Sequence, residues 1–480
     1  MDIITLITDF AEGLLAAGLK FTENPCQLAE MEKEVAELSH KAAADFIAMT
    51  LTETDQLIRD SGKRKQQFNI QRCDTRTLIT TVGDVTFQHT LFKNRESGKY
   101  RYLLDEMIRL PRHERFSSQA EAKVLDEAEV HSYQHAADSL SIGNQKISKM
   151  AVMDKVHGIT EDLPEKPEIP KDKKKWCEYL YIEADEDHIH RQKSGDKKGC
   201  MYGKLIYLFE GKEEICKGKR ILIKPHYHGG LYAGSEQNRR LWEEIQKYIE
   251  AHYNTEQLKC VYINSDGGSW IKAGKDYIDK SALVADRFHL MKYINRVSNL
   301  MLDEADIAKG RFYKYIYKNK PVEVKKLLTR IKNSAGKDDL IEETRSYLIN
   351  NWDAIQRAFH DKHVLGCSAE GHISNVYSER MSSRPMGWSE TGSDRMCRLR
   401  CYVRNEGREK LINLVEYQRK KVLESEKATG TDGMIDITAK RKYVTQERRR
   451  IMEYTERIQA SIPGITVKKI LSIRNRIRAI

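Results

Sequence analysis

The sequence predicts an α/β chain: a domain on a mixed β-sheet interrupted by an α-helical insertion, preceded by a mainly helical region with a β-hairpin and a helix-turn-helix. Three observations carry this reading. Near the N-terminus, apolar residues recur at three and four through LAEMEKEVAELSHKAAADFIAMTLTETDQLI, the period of an amphipathic helix. Beyond residue 176 the pattern becomes short β-branched and aromatic runs, three in succession and then alternating with helical segments. Between them lies EDLPEKPEIPKDKKK, three prolines among charges with no periodicity, which marks a linker at 161–175.

Taken in order, residues 1–66 form the helical N-terminal region. Residues 67–160 begin with TRTLITTVGDVTFQHTLFKN, two β-branched runs around Gly83-Asp84 that predict a hairpin. A helix follows, capped near Ser117 or Ser118. SYQHAADSLSIGNQKISKMAVMDKVHGI then reads as a short helix, a turn at Ser141 to Gly143 and a second helix from Asn144. In a helix-turn-helix the early polar residues of the second helix reach base edges. Here those are Asn144, Gln145, Lys146 and Lys149, although an ordinary helical hairpin has the same grammar.

Residues 176–285 contain CEYLYIEADEDHI, MYGKLIYLFE and ICKGKRILIKPHYH as three strands. The amphipathic helix SEQNRRLWEEIQKYIEAHY comes next, with Leu241, Ile245, Tyr248 and Ile249 on one face. Then come the buried-type strand LKCVYINSDGGS and the short strand SALVADRFH, which leads into a helix. The order β-β-β-α-β-α-β is that of a ribonuclease-H-like domain. Residues 286–360 read as the helical insertion, 361–407 as the second part of the same domain, and 408–480 as a basic helical C-terminal region.

Composition excludes several classes. An apolar share of 40% with 32% charged residues suits a folded globular chain. No stretch reaches the ~18 uncharged apolar residues of a spanning helix, and no membrane partner is expected. Asp2, Asp9 and Glu12 stand where a secretion signal would carry basic residues. Nine cysteines without a CxxC pair argue against a disulfide framework or a common zinc module, and a cytoplasmic location is expected. The net charge of +11 is unevenly placed: residues 1–60 hold 12 acids and 4 bases, residues 401–480 hold 19 bases and 10 acids. A basic surface draws polyanions by counterion release, so nucleic acid is the expected partner.

Carboxylates at strand ends are the candidate site. Phosphodiester chemistry suits two Mg²⁺ (or Mn²⁺) ions held by a few carboxylates that converge from separate elements. Asp185 lies in YIEADED of the first strand, Asp266 ends the fourth strand before Gly267-Gly268, and Glu370 opens the helix after the insertion. Gaps of 81 and 104 residues mean that only folding can join them. Glu183, Asp185 and Asp187 share a strand face, and Asp185 is central among them. Asp187 and Glu379 remain alternatives to Asp185 and Glu370. Arg380 and Arg384 offer paired donors to phosphate, or surface ion pairs with Glu379 or Glu390. Trp388 and Trp270 suit base stacking or the core, and His289 suits a phosphate contact or simple packing.

The run CSAEGHISNVYSERMSSRPMGWS, with YIEADED, NSDGGSWI and VADRFHLMKYIN ahead of it, resembles bacterial ISLre-type insertion-sequence transposases. These are filed as an uncharacterised family, UPF0236, and are related to Mutator-like DDE enzymes. The likeness covers nearly the whole chain. It implies a ribonuclease-H-like DDE domain with Asp185, Asp266 and Glu370 as catalytic metal ligands. It also implies terminal-inverted-repeat DNA and target DNA as partners, strand cleavage and strand transfer, a homo-oligomer, and work on the bacterial nucleoid. The alternatives are a DNA-binding regulator with an inert domain of this fold, or a structure-specific nuclease.

Overall fold

The computed structural model describes residues 3–142, 146–161, 163–164, 169–192, 199–335, 337–384, 386–425 and 437–457. The chain divides into two compact units. One comprises Met1–Ala128, Ser132–Lys155 and Leu411–Ile480; the other comprises Glu129–His131 and Val156–Lys410.

In the first unit two helices, Ile3–Glu23 and Leu28–Asp60, precede an antiparallel sheet of β1 (Phe68–Thr80), β2 (Gly83–Asn94) and β3 (Tyr100–Tyr102). Ile58, Phe68, Val85, Phe87, Phe92, Leu103 and Leu104 close its core. The hairpin forms as the sequence predicts, but Thr80 faces Gly83, so the turn is Thr81-Val82, short of Gly83-Asp84. The cause is Thr80, whose Oγ1 accepts from Val82 N at 3.2 Å and donates to Gly83 O at 2.7 Å. Ser117 caps the Ser118–Val130 helix, accepting from Ala120 N at 3.1 Å.

Two expectations change here. The second helix of the anticipated helix-turn-helix runs from Lys149 to His157. Ser148 Oγ accepts from Ala151 N at 3.2 Å, the capping bond that sets a later start. Residues 146–148 are therefore not helical, and Asn144 and Gln145 lie outside the described residues. The helix Leu411–Ser425 belongs to the first unit instead of a separate C-terminal region. Buried Arg419 holds it there, donating to Phe116 O at 2.8 Å and Ser118 Oγ at 2.9 Å, and pairing with Glu121 at 2.6 Å.

The second unit is built on β4 (Tyr179–His190), β5 (Cys200–Phe209), the hairpin β6 (Gly211–Cys216) and β7 (Lys219–Ile223), β8 (His226–Leu231), β9 (Cys260–Ser265) and β10 (Ser281–Ala285). Five strands form one sheet in the order β10-β9-β4-β5-β8. β4, β5 and β8 pair antiparallel, and β9 and β10 add parallel beyond β4. The run ICKGKRILIKPHYH is not one strand: it completes the β6–β7 hairpin and only then enters the sheet as β8.

One sheet face carries Leu180, Ile182, Ala184, Ile206, Leu208, Val261 and Ile263. It packs on Leu241, Trp242, Ile245 and Ile249 of the Gly234–His252 helix. The other face meets the segment 369–381 and the helix Glu390–Glu406. Gly229 permits that contact, because a Cβ there would sit 1.8 Å from Tyr377 Oη. Residues 287–360 are helical throughout most of their length and close their own core of Leu290, Ile294, Phe312, Ile316, Leu328, Ile341, Leu348 and Ile355. Among the described residues no helix is long and apolar enough to cross a membrane.

Candidate active site

Register places three aspartates side by side. Glu183 of β4 is level with Asn264 of β9, and Ser265 of β9 is level with Ala285 of β10. Continuing those parallel registers brings Asp185, Asp266 and Asp286 to one level on neighbouring chains, with strands spaced by ~4.8 Å. Period-two alternation puts Asp185 on the face of Glu183, away from the apolar core of Ile182 and Ala184. An open sheet offers its functional crevice where parallel strands end.

Each aspartate is held differently. Asp185 Oδ1 accepts from Glu186 N at 2.8 Å. Asp266 Oδ1 accepts from Gly268 N at 2.7 Å, across Gly267 with its φ of +105°. A side chain at Gly267 would also strike Tyr347, whose Cε2 would lie 2.9 Å from an added Cβ. Asp286 N donates to Ser265 O at 2.9 Å, and its carboxylate caps the Arg287–Ser298 helix by accepting from Phe288 N at 2.9 Å. Its other oxygen lies 2.8 Å from His289 Nδ1. The insertion walls the site through Tyr347, stacked on Tyr293 with ring centres 4.1 Å apart.

The electrostatics follow from crowding. Burial pushes the Asp185 carboxyl up to about 6; the Glu186 N–H opposes this and the Asp266 charge adds to it. His289 moves the other way in charge terms. Its bond to Asp286 raises its proton affinity, burial lowers it, and the charges of Asp286, Asp266 and Asp185 raise it further. The imidazole of His289 thus sits beside three acids that favour its protonated form. The donor set is carboxylate oxygen with one imidazole and no thiolate, which suits a hard cation such as Mg²⁺ or Mn²⁺. Among the described residues, three donor atoms of this cluster do not come within 4.8 Å of one another, so binding a cation requires the side chains to draw inward.

The two flanking acids on β4 are already engaged. Glu183 is fully buried. It pairs with Lys212 Nζ at 2.9 Å and accepts from Ser368 N at 2.7 Å, Ser368 Oγ at 2.9 Å and Tyr207 Oη. Asp187 Oδ1 accepts from Ser378 Oγ and Ser382 Oγ, both at 2.9 Å. Asp185 is the acid of that face which looks toward Asp266.

Of the other expected residues, Glu370 lies in a segment packed against β4. Glu370 is exposed on the short helix Ala369–Ile373. The charges acting most on Asp185 are Asp266, His289 and Glu186, not Glu370. Glu379 lies where its charge acts on Arg400, across the helix Glu390–Glu406. Arg380 and Trp388, expected at DNA, are both buried, the guanidinium 4.9 Å over the indole ring. Trp388 Nε1 donates to Met381 O at 3.1 Å and its N–H to His190 O at 2.9 Å, so this ring is core. Trp270 is half-buried under Lys204, at 4.8 Å. Arg384, Lys146 and Lys149 are exposed.

Asp286 is the residue the sequence reading passed over. The available signal was its position: it ends the fifth strand as Asp266 ends the fourth, with a histidine three residues on.

Fold and site together define an α/β protein whose mixed five-stranded sheet carries an acidic cluster where parallel strands end. The chain belongs to the uncharacterised protein family UPF0236, whose model matches residues 21–421. A UPF0236 protein of Caldanaerobacter subterraneus subsp. tengcongensis is 32% identical over 98% of this chain and 93% of its own length. Its name joins eleven designations. A second UPF0236 protein of that organism is 31% identical over 97% of this chain and 94% of its own length. Among solved structures, the Drosophila P element transposase strand transfer complex aligns at 9% identity with a TM-score of 0.21. That alignment covers 76% of this chain and 91% of that one, a likeness too slight to carry weight.

Proposed function

We propose that this protein is a DDE-type transposase that cuts and joins DNA strands at the ends of a bacterial insertion sequence. The observation that carries the reading is the levelling of Asp185 with Asp266, 81 residues apart, on adjacent parallel chains. The sheet order, three antiparallel strands followed by two parallel ones, supports a ribonuclease-H-like reading. A relative whose name joins eleven designations in one organism fits a gene present at many positions, as a mobile element would be.

In this reading Asp185 and Asp266 would hold divalent cations, with Glu370 as the third ligand. Bound Mg²⁺ or Mn²⁺ supplies orientation of the attacking oxygen and charge stabilisation of the leaving one. The protein's own groups prepare that site. Glu183, through Ser368 and Lys212, fixes the start of the segment bearing Glu370 against β4. Asp286, 2.8 Å from His289 Nδ1, raises the proton affinity of that imidazole beside the neighbouring aspartates. Exposed Lys146, Lys149 and Arg384 would meet phosphates of double-stranded DNA, and joining two element ends calls for a homo-oligomer.

The test is cleavage of a labelled element end with and without Mg²⁺, comparing wild type with Asp185→Asn, Asp266→Asn and Glu370→Gln. Each variant should lose cleavage at least about a thousandfold while still binding the DNA, since little positive surface changes. Near-normal cleavage by Asp266→Asn would remove it from the mechanism and the reading with it.

A further inference from the structure

The helix that Asp286 caps has two unlike faces. Leu290, Ile294 and Val297 point inward and are buried. On the opposite side Phe288 is 47% exposed and Met291 40%, and Lys292 beside them is exposed too. Their spacing of three and four residues puts all three on one stripe of the helix surface. Phe288 is bound at its backbone to Asp286 Oδ1 at 2.9 Å, and its ring meets the His289 ring edge to face at 5.6 Å. The ring is therefore oriented by the acidic cluster's own residues without being covered by them.

An open aromatic ring, an adaptable thioether and a cation in sequence make a surface suited to a nucleotide. The ring stacks on a base of any identity, and the ammonium meets the phosphate next to it. We infer that Phe288, seated on Met291, stacks an unpaired base adjoining the scissile phosphate, while Lys292 contacts the backbone of the same strand. This rests on the reading of the cluster as a DNA-cleaving site. A phosphate lies on the outside of a duplex and can reach the crevice as it is, but a flanking base can stack on the Phe288 ring only by leaving the duplex stack. Trp388, the ring that the sequence offered for stacking, is buried, and Trp270 is covered by Lys204.

The experiment uses the full chain and element-end duplexes of two kinds, fully paired or mismatched at the nucleotides flanking the cut. Phe288→Ala should cleave the paired end about tenfold to a hundredfold more slowly than wild type, the loss of one stacked base. It should approach wild type on the mismatched end, where unpairing is already done. Phe288→Trp should restore the paired end. A purely structural role for Phe288 would give equal defects on both substrates, and that result, or no defect on either, overturns the inference. A second arm places 2-aminopurine beside the cut and measures its fluorescence on binding in Ca²⁺. Wild type and Phe288→Trp should change that signal, and Phe288→Ala should not. If wild type cuts nothing in Mg²⁺, the parent reading fails, and this second arm decides the fate of Phe288 by itself. Absence of a Phe288-dependent signal there rejects it.

Discussion

The two faces of β4 solve opposite problems with alternate residues of one strand. Leu180, Ile182 and Ala184 close against the Leu241, Trp242, Ile245 and Ile249 side chains of a helix. One residue out of step, Glu183, Asp185 and Asp187 put three carboxylates on the other face. Lysine, tyrosine and serine donors engage two of these, although the buried Asp187 Oδ2 has no partner among the described residues, and the middle one is left facing another carboxylate. The apolar face supplies the stability that lets the acidic face keep an unfavourable charge pair, as functional sites commonly do.

Breaking the apolar face should cost most. Trp242 is fully buried, with Nε1 donating to Trp270 O at 2.9 Å. Trp242→Ala should destabilise the second unit by about 4 kcal/mol, read as a lowered urea midpoint. Glu183→Gln tests the satisfied part of the acidic face. It leaves the buried Lys212 ammonium without a counter-charge, and a loss of about 3 kcal/mol is expected in the same assay. An unchanged midpoint would show that Lys212 finds other acceptors.

Asp185→Asn sharpens the comparison from the other side. Its folded carboxyl is raised to about 6 from an ordinary 3.8, so the fold binds this proton more tightly than the unfolded chain does. The associated stability is therefore present below pH 4 and lost as pH rises through 6. In EDTA, Asp185→Asn should be more stable than wild type by about 1–2 kcal/mol at pH 8 and should lack that part of the pH slope. A variant no more stable than wild type at pH 8 would mean that burial and the Asp266 charge do not strain Asp185. The smallest effect is expected at His228, whose Nε2 is buried and whose proton affinity is lowered to about 4 by burial and His252. Stability should fall between pH 6.5 and 4 as the unfolded chain takes up this proton, and His228→Gln should flatten that slope by about 1 kcal/mol.

Much of the architecture was legible because it depends on local chemistry. The alternation in YIEADED, the helical spacing of Leu241, Ile245 and Ile249, and the glycines after Asp266 each declare their element without any partner. Errors fell where a neighbour decides. Thr80 moved the hairpin turn and Ser148 delayed a helix, each through a side-chain bond to backbone three residues on, and Arg419 drew the Leu411–Ser425 helix into the first unit through a bond 303 positions away. Asp286 went unnoticed because an aspartate before a helix reads first as its cap, which it also is.

By itself, then, the chain's pattern determined which residues form strands and helices and which acids stand at their ends, since periodicity and turn chemistry act over a few residues. Only the tertiary structure decided which acids meet. Strand register levelled Asp185 with Asp266 and Asp286, and hydroxyl donors from a segment nearly 200 positions away engaged Asp187. Burial, a property of the whole fold, turned Trp388 inward and left Phe288 in the open.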